Sequence, residues 1–298
     1  MDGRSRGKWE GKKDTQFMLS EWFLQRPDHF PDRWLVKLAP VGQRCLVVSG
    51  NGRTVAYRRN GRKLRRPFPS HLPGGNYSQK GMAYNKMVVL DCIFSGYDQG
   101  TFYVLDMMFW GEMPFYECDT DFRFHWLQTK FDEAEGGAAH FGDKGHLNTF
   151  SFRPLSFRQA TDEAVGEMMS EPNPFPMDVD GLLFYHKQAH YLPGRRPNPL
   201  VLWMKPYMPP ELLKVAISDE YASKAPPSYT DAKAFMEEYA RESELIGKAK
   251  KAEAQARRAR RMAKNAKDQE MDEADGDAKE KDDVLEENME EQAVTPSG

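Results

Sequence analysis

The chain has 298 residues, 40% hydrophobic and 12% aromatic, with 42 Lys and Arg against 45 Asp and Glu. That length holds one sizeable core with a tail or small second domain, and no apolar run reaches the roughly 18 residues needed to span a bilayer, which excludes a transmembrane role. The net charge of −3 hides a segregation: residues 1–247 carry 31 basic and 31 acidic side chains, residues 248–267 nine basic and one acidic, and residues 268–291 thirteen acidic and two basic. This pattern predicts a disordered segment 1–13, a folded body 14–225, a basic helical segment 226–267 and an acidic disordered tail 268–298. The start, Met1 to Asp14, is charged and Gly-rich without an apolar h-region, so no signal peptide is expected. Cys45, Cys92 and Cys118 sit in apolar or strand-like sequence without CxxC spacing. They read as buried, reduced thiols of the cytosol or nucleus, with no zinc site implied.

From Asp14 the spacing predicts a short amphipathic helix, with Asp14 as N-cap, Met18 and Trp22 one turn apart and Pro27 as the stop. Trp34 to Leu38 and Arg44 to Ser49 read as strands around the turn Pro40-Val41-Gly42. Asn51-Gly52 then marks a hairpin, with Thr54 to Arg59 returning and Asn60-Gly61 making a second turn. Between Arg53 and Arg66 lie seven basic residues and no acidic one, interleaved with Tyr57. Such a cluster is either a solvated face or a nucleic-acid contact. Met87 to Phe94 and Thr101 to Trp110 form a long apolar hairpin with isolated Asp91 and Asp106. A helix over 119–130 with Phe122 and Trp126 on one face follows, then a strand from Thr149 to Phe157. A further helix is capped by Thr161 and bears Val165, Met168 and Met169. His186 and His190 have no evident third ligand, so no metal is expected.

Asp180 to Phe184 and Leu202 to Pro206, joined by a Pro/Gly-rich loop, read as neighbouring strands. The period of two puts Trp203 and Lys205 on one face. A flat aromatic surface beside a fixed cation suits a nucleotide, while a lone Trp in a strand is also an ordinary core residue. Leu212 to Ile217 is a short apolar segment packed on the core. Beyond Pro226-Pro227 a long Ala-rich helix begins near Thr230 and carries the basic block.

Asp180-Gly181-Leu182-Leu183-Phe184 and Trp203-Met204-Lys205-Pro206 resemble the fourth and fifth motifs of the covalent nucleotidyltransferases, the fold of mRNA capping enzymes and nucleic-acid ligases. The resemblance implies an α+β, nucleotidyltransferase-like domain of twisted antiparallel sheets with flanking helices. In that fold a lysine in Lys-x-Asp-Gly-x-Arg attacks the nucleotide α-phosphate, and no other side chain reproduces that amine's chemistry. The counterpart is Ala39-Pro40-Val41-Gly42-Gln43-Arg44: Gly42 and Arg44 match, but Ala39 stands at the lysine and Val41 at the aspartate. The third motif appears as Leu90-Asp91-Cys92-Ile93, without its glutamate. The expectation is a binding protein rather than an enzyme, with no cofactor. An active guanylyltransferase or ligase, and a protein-interaction module without nucleotide affinity, are the alternatives.

Met18-Leu19-Ser20-Glu21-Trp22, Leu72-Pro73-Gly74-Gly75-Asn76, Tyr103-Val104-Leu105-Asp106, Asp119 to Phe124 and Val179 to Gln188 further resemble the snurportin family. So do Trp203 and Pro206-Tyr207-Met208. Snurportins are import adaptors that recognise the 2,2,7-trimethylguanosine cap of spliceosomal U snRNAs. The resemblance implies that Trp203 stacks on the methylated guanine and that Leu19, Ser20 and Trp22 line the pocket, with Trp22 against the N2 methyls. Arg44 and Arg59 would meet phosphate and base edges; strand geometry adds Lys205. Implied partners are the capped U snRNA or U snRNP, importin β and an export receptor, with shuttling between nucleus and cytoplasm and no membrane. Family members carry an Arg-rich importin-β-binding helix ahead of this domain, and none is read in the residues that precede the first matching segment. The clusters Lys248–Lys251 and Arg257–Arg261 are either a localisation signal or a solvated helix.

Overall fold

The computed structural model describes residues 17–79, 81, 85–134, 136–249 and scattered positions from 252 to 262. The segments 1–13 and 268–298 lie outside the described residues. The chain divides into two compact units, Met1–Lys233 and Ala234–Gly298. The second is helical through residue 249 and at its described positions up to 262. Among the described residues no helix is long and apolar enough to cross a membrane.

The first unit is α+β, built on two sheets. One sheet holds β1 (Leu19–Trp22), β2 (Trp34–Pro40), β9 (Arg158–Gln159), β10 (Val179–His186) and β11 (Pro197–Met204). Their order is β1-β11-β10-β2-β9, with every pairing antiparallel except β1 with β11. The other runs β4 (Arg53–Tyr57), β3 (Gln43–Gly50), β5 (Met87–Phe94), β6 (Thr101–Gly111) and β7 (Met113–Pro114). There β8 (Ser151–Pro154) also pairs with β6 and runs parallel to it. The helices are α1 (Phe30–Arg33), α2 (Thr120–Asp132), α3 (Ala138–Gly142), α4 (Asp162–Ser170), α5 (Pro209–Leu212) and α6 (Asp219–Ala222).

Alternation of side chains across a strand explains why the second sheet is buried on both faces. Leu46, Val89, Ile93, Tyr103 and Leu105 face the first sheet, where they join Leu35, Ala39, Leu183, Tyr185 and Val201 in one apolar layer. The intervening residues Cys45, Val47, Leu90, Cys92, Phe102 and Val104 turn the other way, onto Leu127 and Phe131 of α2 and Phe141 of α3. Cys45 and Cys92 face each other across β3 and β5 as buried free thiols, and Cys118 is half-buried.

The hairpin signal is realised: Asn51 at φ 54° and Gly52 at φ 73° supply the two left-handed residues of a type I′ turn. Thr161 caps α4, its hydroxyl accepting from the Ala164 amide at 3.1 Å, and Val165, Met168 and Met169 are buried as expected. Two expectations fail. Residues 19–22 form a strand rather than a helix. The open edge of β11 offers main-chain partners, and Phe23 N–H donates to Trp203 O at 2.8 Å. That sheet pairing overrides a helix, expected from Asp14 to Pro27, whose apolar pattern rested on Met18 and Trp22 one turn apart; its residues 14–16 lie outside the described residues. The strand expected over 149–157 is confined to Ser151–Pro154, where proline ends the ladder.

Candidate functional site

A cavity of about 220 Å³ opens where β1, β2, β10 and β11 meet the second sheet. Ala39 and Pro40 at the end of β2 and Gly42 and Arg44 beside the following turn form one side. Ile93 and Leu105 come from the second sheet, and Ser20, Asp180, Leu183 and Trp203 complete the wall. Trp203 is half-buried, so its ring is not sealed in the core. It stands in register between Leu183 on β10 and Trp22 on β1.

The place of the ring is set by Gly181. A Cβ at that position would lie 2.8 and 2.9 Å from Trp203 Cζ2 and Cη2 and 2.3 Å from Met204 O. The Asp-Gly that opens β10 is therefore a steric requirement of the indole laid across it. Lys205, just past β11, follows Trp203 on the same side, its Nζ 5.6 Å from the ring centroid. That amine also lies 2.7 Å from Asp180 Oδ1. The cation beside the indole is thus presented as one half of an ion pair at the cavity rim.

Arg44 is held on the floor by a buried carboxylate. Its Nε and Nη2 donate to Asp91 at 3.0 and 2.6 Å, and Nη2 also donates to Met18 O at 2.8 Å. Tyr191 closes the ring: its hydroxyl donates to Asp91 Oδ2 at 2.8 Å and accepts from Met18 N–H at 3.2 Å. Met18 is thereby tied through both main-chain groups directly ahead of β1, which carries Ser20 and Trp22. Burial, with Asp91 alongside, pushes the Tyr191 phenol well above its ordinary range.

Behind Ala39, on the same face of β2, lies Lys37. It is 1% exposed, its Nζ donates to Leu105 O at 2.7 Å, and the amine sits 3.3 Å from the Phe124 ring centroid. Burial lowers its pKa from 10.5 to about 7 against the opposing pull of Asp106. The cavity wall at this point is Ala39 and Leu105.

Of the residues expected at the site, Ser20, Arg44 and Trp203 line one cavity. Trp22 is the register neighbour of Trp203, and Lys205 sits at the rim on Asp180. Leu19 packs against the layer between the sheets. Arg59 lies beyond the end of β4, exposed and outside the cavity lining. Sequence reasoning passed over Asp180, Ile93, Leu105 and the Asp91–Tyr191 clamp. An isolated aspartate in the apolar run 87–94 was the available signal for a buried ion pair. Among the described residues no group of His, Cys, Asp and Glu is placed to hold a metal. His186 packs edge-on to Trp34 at 5.3 Å and His190 lies 3.4 Å from Asp119.

Among solved structures, the chain is similar to the ligase domain of Mycobacterium tuberculosis LigD, at 15% identity and a TM-score of 0.43, over 63% of this chain and 58% of that one. A mycobacterial DNA ligase D complexed with ATP and MES matches at 15% identity and 0.43, over 63% and 59%. A Lig E DNA ligase matches at 16% and 0.39, over 63% and 67%. The chain thus spans less than two thirds of the first two. Residues 16–206 match the family described as the Snurportin1 m3G cap-binding domain, a span that contains every residue of the cavity. The chain belongs to the snurportin m3G cap-binding domain family.

Proposed function

We propose that this protein binds the 2,2,7-trimethylguanosine cap of U snRNA without transferring it, and serves as an adaptor in nuclear import of U snRNPs, shuttling between cytoplasm and nucleus. The observation that carries the reading is the half-buried Trp203 indole walling a cavity whose opposite side, at the position of the nucleotidyltransferase lysine, is a methyl group. Methylation at N7 leaves the guanine cationic, so stacking on indole adds a cation–π attraction of about 0.5–2 kcal/mol to the stacking itself. Asp180 lines the same cavity and places a carboxylate near that positive charge. Ser20 offers a hydroxyl, and Trp22, beside Trp203, offers apolar surface suited to the N2 methyls. Arg44 retains Nη1 after its bonds to Asp91 and Met18, and that nitrogen is the donor available to the cap.

Two amines are bonded to residues of the cavity wall. Lys37 is confined beneath Leu105 and Phe124, and Lys205 is paired with Asp180. Both arrangements favour binding over transfer. Importin β and an export receptor are the partners that the adaptor role requires.

The test is a fluorescence titration with trimethylguanosine and monomethylguanosine cap dinucleotides, run beside incubation with labelled GTP. Quenched indole emission, tighter binding of the trimethyl form and no covalent label are expected. No quenching by either dinucleotide, or an acid-stable protein label, would overturn the reading.

A further inference from the structure

A second and larger cavity, about 590 Å³, lies beside the first and is not needed to hold a cap. The two share strands. Leu105 lines the first and Tyr103 the second, two residues or roughly 7 Å apart along β6. On β2 the adjacent residues Ala39 and Leu38 line the first and the second cavity, their side chains on opposite faces of the strand. The second cavity is bounded by Pro174, Phe175 and Pro176, and Phe175 meets the Tyr103 ring edge-on at 5.2 Å. This loop is ordered by Asn173, which accepts from Phe175 N–H at 3.0 Å and donates to Met177 O at 2.8 Å. It then reaches Asp178, whose carbonyl accepts from Val41 N–H at 2.8 Å, between Pro40 and Gly42 of the first cavity.

Alongside apolar Leu38, Leu155 and Phe175, the lining carries two exposed cations, Lys144 and Arg153, with hydroxyls from Thr101, Ser151 and Ser156 and one acid, Asp143. Lys144 Nζ donates to Gln99 O, which fixes the amine at the mouth. Two residues before Gln99, Tyr97 is 66% exposed and lies under the Arg65 guanidinium at 5.1 Å. The same guanidinium is 4.1 Å from the Phe150 ring. Asp98 is the acid beside that pair. Exposed cations in a cavity near an exposed aromatic ring are among the features by which proteins hold a single strand without reading its sequence.

Resting on the cap-binding reading, we propose that this cavity holds the single-stranded RNA nucleotides that follow the cap. Lys144 and Arg153 meet their phosphates, and the Arg65–Tyr97 pair continues the path outward. The occupant is nucleic acid because the cations outnumber the acid in the lining, and because the cavity draws its wall from the same strands, β2 and β6, as the pocket from which an RNA chain would leave.

The experiment compares a trimethyl-capped dinucleotide with a trimethyl-capped hexanucleotide across a salt series. The longer ligand is expected to bind on the order of tenfold tighter at low salt, as base stacking and phosphate contacts add. Its log–log salt slope should be steeper by about 0.7 for each added phosphate contact. Lys144→Glu with Arg153→Glu should erase both gains and leave dinucleotide affinity unchanged, which also reports that the variant is folded. Asp143→Asn should strengthen only the longer ligand. If the dinucleotide binds but the hexanucleotide gains nothing in affinity or slope, the second site is refuted while the cap pocket stands. A gain that survives the double charge reversal refutes it equally. If the dinucleotide itself fails to bind, the cap reading falls first.

Discussion

Trp203 lies across Gly181 so closely that a single added methyl at 181 would fall 2.8 Å from its Cζ2. The backbone carbonyl of Met204 blocks the same space at 2.3 Å, and backbone cannot swing aside as a side chain can. Gly181→Ala is therefore expected to displace the indole and to cost about 1–3 kcal/mol by overpacking. Cap affinity should fall with it. Denaturant melts and a cap titration on the same sample separate the two effects, and unchanged affinity would show that the ring position is not what the cap senses.

Trp203→Ala removes the stacking surface itself. Base–aromatic stacking is worth about 1–3 kcal/mol, so affinity for the trimethyl cap should drop at least about tenfold. The half-buried ring packs against the layer between the sheets without being enclosed in it, and the variant should remain folded by circular dichroism. A dinucleotide affinity within twofold of the parent would exclude position 203 from the site.

The clamp around Met18 predicts coupling between a buried pair and the cap. Tyr191→Phe leaves the Met18 amide without its acceptor and Asp91 without one donor, a loss of about 1–3 kcal/mol in a buried setting. Asp91→Ala goes further, leaving Arg44 without its buried partner, and should cost about 3–5 kcal/mol. Because Met18 directly precedes β1, both variants should weaken cap binding although Tyr191 lies outside the cavity lining. Hydrogen exchange at residues 19–22 is the readout: exchange as slow as in the parent protein in Tyr191→Phe would contradict the coupling.

Lys37 predicts a pH dependence. Burial lowers its folded pKa to about 7 from 10.5, so above pH 7 the unfolded chain binds more protons than the folded one. Stability should accordingly rise with pH, by up to about 1.4 kcal/mol per unit. The window runs from pH 7 to about 8.5, where unfolded thiols begin to titrate. Below pH 7 the contribution is flat. Lys37→Met should remove this slope, measured as urea midpoints across the window, whatever its effect on absolute stability. An identical slope in the variant would mean that the amine is not held neutral by its surroundings.

Much of the frame was legible because it is written in short-range periods. The hairpin at Asn51-Gly52 followed from two residues able to take positive φ, the Thr161 cap from a hydroxyl ahead of an apolar helix, and the β10–β11 pair from two apolar runs. Residues 19–22 were misread for the complementary reason. Four residues carry too little pattern to distinguish helix from strand, and the deciding partner, β11, lies some 180 residues away. Arg59, which the family resemblance implied at the site, lies two residues beyond the end of β4 at Tyr57 and outside the cavity lining.

By itself the sequence determined that Trp203 and Lys205 share a side and which residues of each strand are apolar; that Ala39 stands in place of a reactive amine is what its resemblance to the nucleotidyltransferase motif implies. The first two follow from residue identity and the period of two, which need only neighbours in the chain. The tertiary structure alone decided that Asp180 pairs with Lys205, that Asp91 and Tyr191 bind Arg44 to Met18, and that a second cationic cavity opens beside the first. Those relations join groups 25 to 173 residues apart, and local pattern carries no information about which distant surfaces meet until the two sheets close on each other.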